Sequence, residues 1–112
     1  MHELSLAENM LAIVEDHVRR GGYTKATVVR LEIGRLSCVM PDALRFCFQS
    51  VTHGSLADNA QLDIVEIDGA GRCRRCDITV DMEEPWGICP DCGRPLDVIA
   101  GTEMRVKELE VA

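Results

Sequence analysis

The chain has 112 residues, 46% of them hydrophobic, and a formal net charge of −7. That hydrophobic share is too high for a disordered tail, and the length admits one modest core plus a satellite module. The acid excess repels a phosphate backbone, which argues against nucleic acid, and no apolar run approaches the roughly 20 residues needed to cross a bilayer.

In chain order, Leu4 to Arg20 reads as a helix. Leu6, Met10, Ile13, Val14 and His17 fall on one face, with Glu8, Glu15, Asp16, Arg19 and Arg20 towards water. His17 is expected to be a packing residue, and Gly21-Gly22 to stop the helix. Ala26 to Ile33 alternates, Val29, Leu31 and Ile33 against Val28, Arg30 and Glu32, as a strand with one face on a core does. Pro41 opens a second helix with Asp42 at its positive end, and Leu44, Cys47, Phe48 and Val51 form its buried stripe. His53 near its end would complement the helix dipole. Gln61 to Ile67 supplies a second strand and Thr102 to Val111 a third. In the third, the apolar phase moves from Met104 and Val106 to Leu109 and Val111, which predicts a bulge at Lys107-Glu108.

Between the last two strands stand Cys73-Arg74-Arg75-Cys76 and Cys89-Pro90-Asp91-Cys92. Two residues between cysteines let the chain wrap one ion, and two such knuckles complete a tetrahedron, so Cys73, Cys76, Cys89 and Cys92 are the candidate ligands of Zn(II). A short hairpin over Asp77 to Ile88 would join the knuckles. Iron is the competing metal. Cys89-Pro90-Asp91-Cys92-Gly93 matches a rubredoxin-type knuckle, whereas Cys76-Asp77 lacks the glycine expected after the other. A disulfide framework would suit a secreted chain, but acidic Glu3 and Glu8 stand where a basic leader is expected, and Cys38 and Cys47 read as free thiols of a reducing cytoplasm. Four thiolates on a divalent ion leave a local charge near −2, which Arg72, Arg74, Arg75 and Arg94 would offset.

The order predicts an α+β fold: a small three-stranded sheet with two helices, plus an inserted zinc-ribbon-like module. Residues 1–68 together with 102–112 would form one domain and 69–101 the zinc-binding domain, with Gly69-Ala70-Gly71 and Gly101 at the crossings. The apolar residues of the module are few, chiefly Ile78, Val80, Met82, Trp86, Ile88, Leu96, Val98 and Ile99. Metal binding, worth roughly 10 to 16 kcal/mol in small zinc modules, would therefore replace the missing core.

At the start of the chain, His2 offers an imidazole beside the Met1 α-amine. With the intervening amide nitrogen these can close a planar chelate suited to Ni(II) or Cu(II), although a histidine at position 2 is in most chains only a frayed terminus.

Several segments, taken together, resemble the HypA/HybF family of hydrogenase maturation proteins. They are Met1-His2-Glu3-Leu4-Ser5-Leu6-Ala7, Leu31-Glu32-Ile33-Gly34-Arg35-Leu36-Ser37, Pro41-Asp42-Ala43-Leu44-Arg45-Phe46-Cys47-Phe48, the two cysteine pairs and Arg105-Val106-Lys107. The resemblance implies a nickel metallochaperone that binds Ni(II) as transient cargo at His2, helped by the Met1 amine and by Glu3 through its backbone or side chain. It implies structural Zn(II) at the four cysteines. It also implies a hydrogenase maturation GTPase and the [NiFe]-hydrogenase large-subunit precursor as partners, with the carrier a monomer or weak homodimer in the cytoplasm. No paired carboxylates or nucleophile-base arrangement points to an enzyme. The alternative function is a zinc-ribbon adaptor without nickel chemistry.

Overall fold

The computed structural model describes residues 2–112. Its elements are helix α1 (Glu3–Arg20), strand β1 (Ala26–Gly34), helix α2 (Pro41–Thr52), and strands β2 (Gln61–Ile67), β3 (Gly69–Cys73), β4 (Ile78–Met82), β5 (Asp97–Ala100) and β6 (Met104–Val111). One sheet has the order β2-β1-β6 and a second the order β4-β3-β5. The expected α+β class, two helices and a three-stranded sheet accompanied by a cysteine-bearing ribbon, is the one the chain adopts. Two compact units result: one of residues through Glu32, Val39–Val65 and Arg105–Ala112, the other of Ile33–Cys38 and Glu66–Met104.

In the first unit α1 packs against α2. The buried positions of α1 are Glu3, Ala7, Met10, Val14 and Val18, a spacing of three and four residues that marks one helix face. Val18 thus takes the place expected of His17, which is exposed, and Ile13 is 47% exposed. On α2 the buried positions are Leu44, Phe48 and Thr52, with Cys47 and Val51 half-buried and His53 exposed. Thr52 is tolerated there because its hydroxyl donates to the Phe48 carbonyl at 2.8 Å.

Val29, Leu31 and Ile33 of β1 are buried, as the alternation requires. On the other face the Arg30 guanidinium reaches Asp63 of β2 at 3.3 Å and Glu110 of β6 at 2.8 Å, so the central strand holds both neighbours by charge. The Ala112 N–H donates to the Lys25 carbonyl at 2.9 Å and the Gly34 N–H to the Glu103 carbonyl at 2.7 Å, so β6 runs antiparallel to β1. Arg35 N–H meets the Ile67 carbonyl at 2.8 Å while Arg30 meets Asp63, so β2 runs parallel to β1 with α2 as the crossover. In β6 the half-buried residues are Val106, Leu109 and Val111, keeping the shifted apolar phase.

The second unit departs from expectation in its strands. The hairpin does not lie between the knuckles: β4 turns back onto β3, pairing Cys73 with Ile78 and Gly69 with Met82, so the first knuckle is itself the turn. β5 flanks β3 on the other side, with a register shift between Ala70 and Gly71. Gly69-Ala70-Gly71 is therefore strand, and its glycines serve close packing. A Cβ on Gly34 would strike the Gly101 carbonyl, and one on Gly69 would strike the Met82 carbonyl and the Leu36 side chain. Backbone that close leaves no rotamer to move aside, so Gly34→Ala should cost about 2 kcal/mol or more. Urea unfolding of the variant checks this; an unchanged midpoint would contradict the packing.

Candidate metal centre

The two knuckles close in the same way. The Asp77 N–H donates to the Cys73 carbonyl and the Gly93 N–H to the Cys89 carbonyl, both at 2.9 Å. Each return bond needs a left-handed residue just after the second cysteine, and Gly93 supplies it at φ 74° and Asp77 at φ 57°. Aspartate is among the few non-glycine residues that enter this region, and the Asp77 carboxylate is held there by Arg72. The missing glycine after Cys76 is thus no obstacle to a regular knuckle, and it does not separate zinc from iron.

All four sulfurs come together: the Sγ atoms of Cys73, Cys76, Cys89 and Cys92 lie within 4.8 Å of one another. Cys73 Sγ and Cys92 Sγ are 3.6 Å apart, too far for a disulfide. Sulfurs tetrahedrally placed about 2.3 Å from one ion would be about 3.8 Å apart, so the separation fits a shared thiophilic metal. Cys73 and Cys89 are buried while Cys76 and Cys92 are half-buried, so each knuckle contributes one inner and one outer sulfur. Around them the core is small: Ile33 and Leu36 are buried in this unit, but of the apolar residues counted from the sequence between Gly69 and Gly101 only Met82 is.

Electrostatics asks for a cation. The Cys76 N–H, first of several donors, draws the Cys73 thiol down to about 7, helped by the sulfurs of Cys92 and Cys89 and by the Arg75 backbone. Cys76 is pushed up to about 12, foremost by its contact with the Cys92 sulfur and then by burial. One negative sulfur is stabilised by its neighbours, and a second beside it is not, unless a divalent ion neutralises both. The surrounding arginines are less committed to this task than the sequence suggests, since Arg72 pairs with Asp77 and Arg74 with Asp97 at 2.7 Å. Arg75 and Arg94 stay exposed beside the cluster, lining a cleft with Cys73.

The other sequence candidates sit at the start of α1. His2 is exposed and precedes the first helical residue, its carbonyl accepting the Leu6 N–H at 2.8 Å. Met1 lies outside the described residues. Glu3 is only 4% exposed, and its carboxylate accepts the Met40 N–H at 3.2 Å. That backbone donor is the chief reason its pKa is lowered, followed by its own N–H. Sequence reasoning found Glu3 but not this partner, which lies 37 positions away. The only local signal was an acid in the first turn of a helix.

Cys73 and Cys76 also set how metal affinity varies with pH. Binding must displace a proton from Cys76 throughout the neutral range, but from Cys73 only below about 7. Metal affinity should therefore fall with acidification more steeply below pH 7 than above it, by about one further power of ten per pH unit. Chelator competition between pH 6 and 8.5 measures the slope; a straight line throughout would contradict the Cys73 assignment.

Comparison with known proteins places these features in a family. The sequence model described as HypA, hydrogenase/urease nickel incorporation, metallochaperone, matches residues 1–111. The chain is 53% identical over 112 residues to the hydrogenase maturation factor HypA of Dechloromonas aromatica and 47% identical to that of Rhizobium leguminosarum bv. viciae, covering 99% of each chain in both cases. A solution structure of the Ni metallochaperone HypA from Helicobacter pylori matches at a TM-score of 0.74 and 27% identity, over 99% of this chain and 97% of that one. Another solution structure of a HypA protein matches at a TM-score of 0.76 and 26% identity, over 100% and 97%. No helix among the described residues is long and apolar enough to cross a membrane. With its whole length matched and its four sulfurs gathered, the chain belongs to the HypA family of hydrogenase maturation factors.

Proposed function

We propose that this protein is a nickel metallochaperone that binds Ni(II) at its N-terminus and helps insert it into the [NiFe]-hydrogenase large subunit during maturation. Zn(II) would sit permanently on Cys73, Cys76, Cys89 and Cys92. The observation that carries the nickel reading is the exposed His2 immediately ahead of α1, in a family described by nickel incorporation. A carrier must capture its ion and also give it up, and a terminal chelate open to solvent can be reached by the recipient. Zinc is favoured for the thiolate site because four protein sulfurs satisfy it completely and leave no position for a substrate.

Glu3 then has two separable parts. Its amide nitrogen, whose N–H is bonded to its own carboxylate and not to an earlier carbonyl of the helix, is the part we assign to nickel together with His2 and the Met1 amine. Its carboxylate is held by Met40 and anchors the chelate to the entry of α2. The chain acts as a stoichiometric carrier, not an enzyme. Its partners are a hydrogenase maturation GTPase and the large-subunit precursor, its setting is the cytoplasm, and its assembly is a monomer or weak homodimer. Functionally, residues 1–68 with 102–112 form the nickel-binding domain and 69–101 the zinc-binding domain.

Calorimetric titration of untagged, zinc-loaded protein with Ni(II) tests this. Wild type should bind roughly one nickel per chain, and His2→Ala should weaken binding by about 100-fold. Glu3→Gln, which can still accept the Met40 N–H, should bind nearly as wild type does, whereas Glu3→Ala should bind more weakly. Unchanged affinity in His2→Ala would leave the zinc-ribbon adaptor as the better reading. Equal losses in both Glu3 variants would make the carboxylate a ligand.

A further inference from the structure

The second unit carries a shallow groove of about 320 Å³ whose apolar walls include Val80, Trp86, Ile88 and Leu96. Trp86 is 68% exposed and Ile88 65% exposed. Trp86 is the only tryptophan in the chain. Nothing in the fold explains their placement. Large apolar side chains converging on one groove in water mark a surface that something else covers.

The rim says what that something is. Asp81, Glu83 and Glu84 line the same groove, and none of them is in an ion pair among the described residues. On the first sheet the carboxylates are answered: Arg30 meets Asp63, Glu108 and Glu110, and Arg105 meets Glu32 at 2.5 Å. Around the groove no such pair forms: Arg35, which lines a neighbouring cleft with Asp81 and Glu83, is engaged by Glu66 and Asp68, and the sequence has no lysine or arginine between Arg75 and Arg94. β4 contributes Val80, Asp81 and Met82 to the groove and is an edge strand of its sheet. An edge strand has unpaired backbone groups that an extended peptide can use.

We propose that this groove docks an extended, basic segment of a partner protein, in which lysines or arginines alternate with bulky aliphatic side chains. The aliphatic groups would cover Trp86 and Ile88 while the cations meet Asp81, Glu83 and Glu84. A second copy of this chain is the wrong occupant, since it would bring the same unpaired carboxylates and the same net charge of −7. Anionic lipid is repelled on the same grounds. The proposal does not depend on nickel at the N-terminus.

The single tryptophan makes the test direct. The zinc-loaded full chain is titrated with a short synthetic peptide alternating lysine and leucine, and Trp86 emission is followed. Control peptides alternate lysine with serine, or glutamate with leucine. The lysine-leucine peptide should shift the emission to the blue and saturate, more weakly as salt rises, and the other two should bind at least about tenfold more weakly. The combined D81N/E83Q/E84Q variant should lose roughly tenfold in affinity and most of the salt dependence, and Ile88→Ser should lose affinity while keeping it. Four results would overturn the proposal. They are equal binding of the lysine-serine peptide, an unaffected triple variant, no saturation by any peptide below about 1 mM, or an emission shift with protein concentration alone, which would make a second copy the occupant.

Discussion

Four sulfurs converging on one point hold together a piece of chain that has little else to hold it. In the second unit the apolar side chains between the glycines at 69 and 101 are exposed or half-buried, apart from Met82. Burial cannot supply the free energy that ordering this segment costs. The sulfurs cannot do so unaided either, because they resist sharing negative charge, as the opposite displacements of Cys73 and Cys76 show. A bound divalent ion would remove both difficulties at once. It would neutralise the thiolates and convert metal affinity into folding free energy. The strands follow from that closure, with the first knuckle serving as the turn between β3 and β4 and the Gly34, Gly69 and Gly101 backbones pressed too close for any side chain.

The start of the chain works on the opposite principle. α1 is secured along its length by an ordinary buried face, and its first residue is fixed by a carboxylate reaching Met40. The histidine before it stands in solvent. A rigid helix end carrying an exposed, minimally held ligand suits a chelate that must form and dissolve repeatedly, whereas a buried tetrathiolate suits an ion that stays. Under the proposed function the same chain would offer two coordination chemistries of different lifetimes, nitrogen donors for an ion that prefers planar geometry at one site and soft sulfur for a tetrahedral ion at the other.

Where periodicity was strong, the sequence foretold the structure closely. α1, β1, α2 and β2 begin and end within a residue or two of their expected limits, because apolar spacing and the Gly and Pro signals agree. The four cysteines were legible as a set because their spacing is itself a coordination geometry. The ribbon strands were not. Gly69-Ala70-Gly71 has no alternation to read, and its burial comes from the Met82 carbonyl and the Leu36, Met82 and Leu96 side chains pressing onto the two glycines. His17 was misplaced on α1 because the apolar set alone does not fix the centre of a helix face, and Val18 turned out to occupy it. The Asp77 conformation and the tie between Glu3 and Met40 were equally invisible. One depends on a single residue entering the left-handed region, the other on a contact made only after the chain has folded.

Hydrogen exchange read by mass spectrometry, before and after a strong chelator removes the thiolate-bound metal, tests the dependence of the second unit on that ion most directly. Amides of β3, β4 and β5 should lose protection as a group on metal removal, while those of α1, α2 and the central part of β1 keep theirs. Protection that survives unchanged in β3 to β5 would mean that the segment folds on its own packing and that the ion is an accessory.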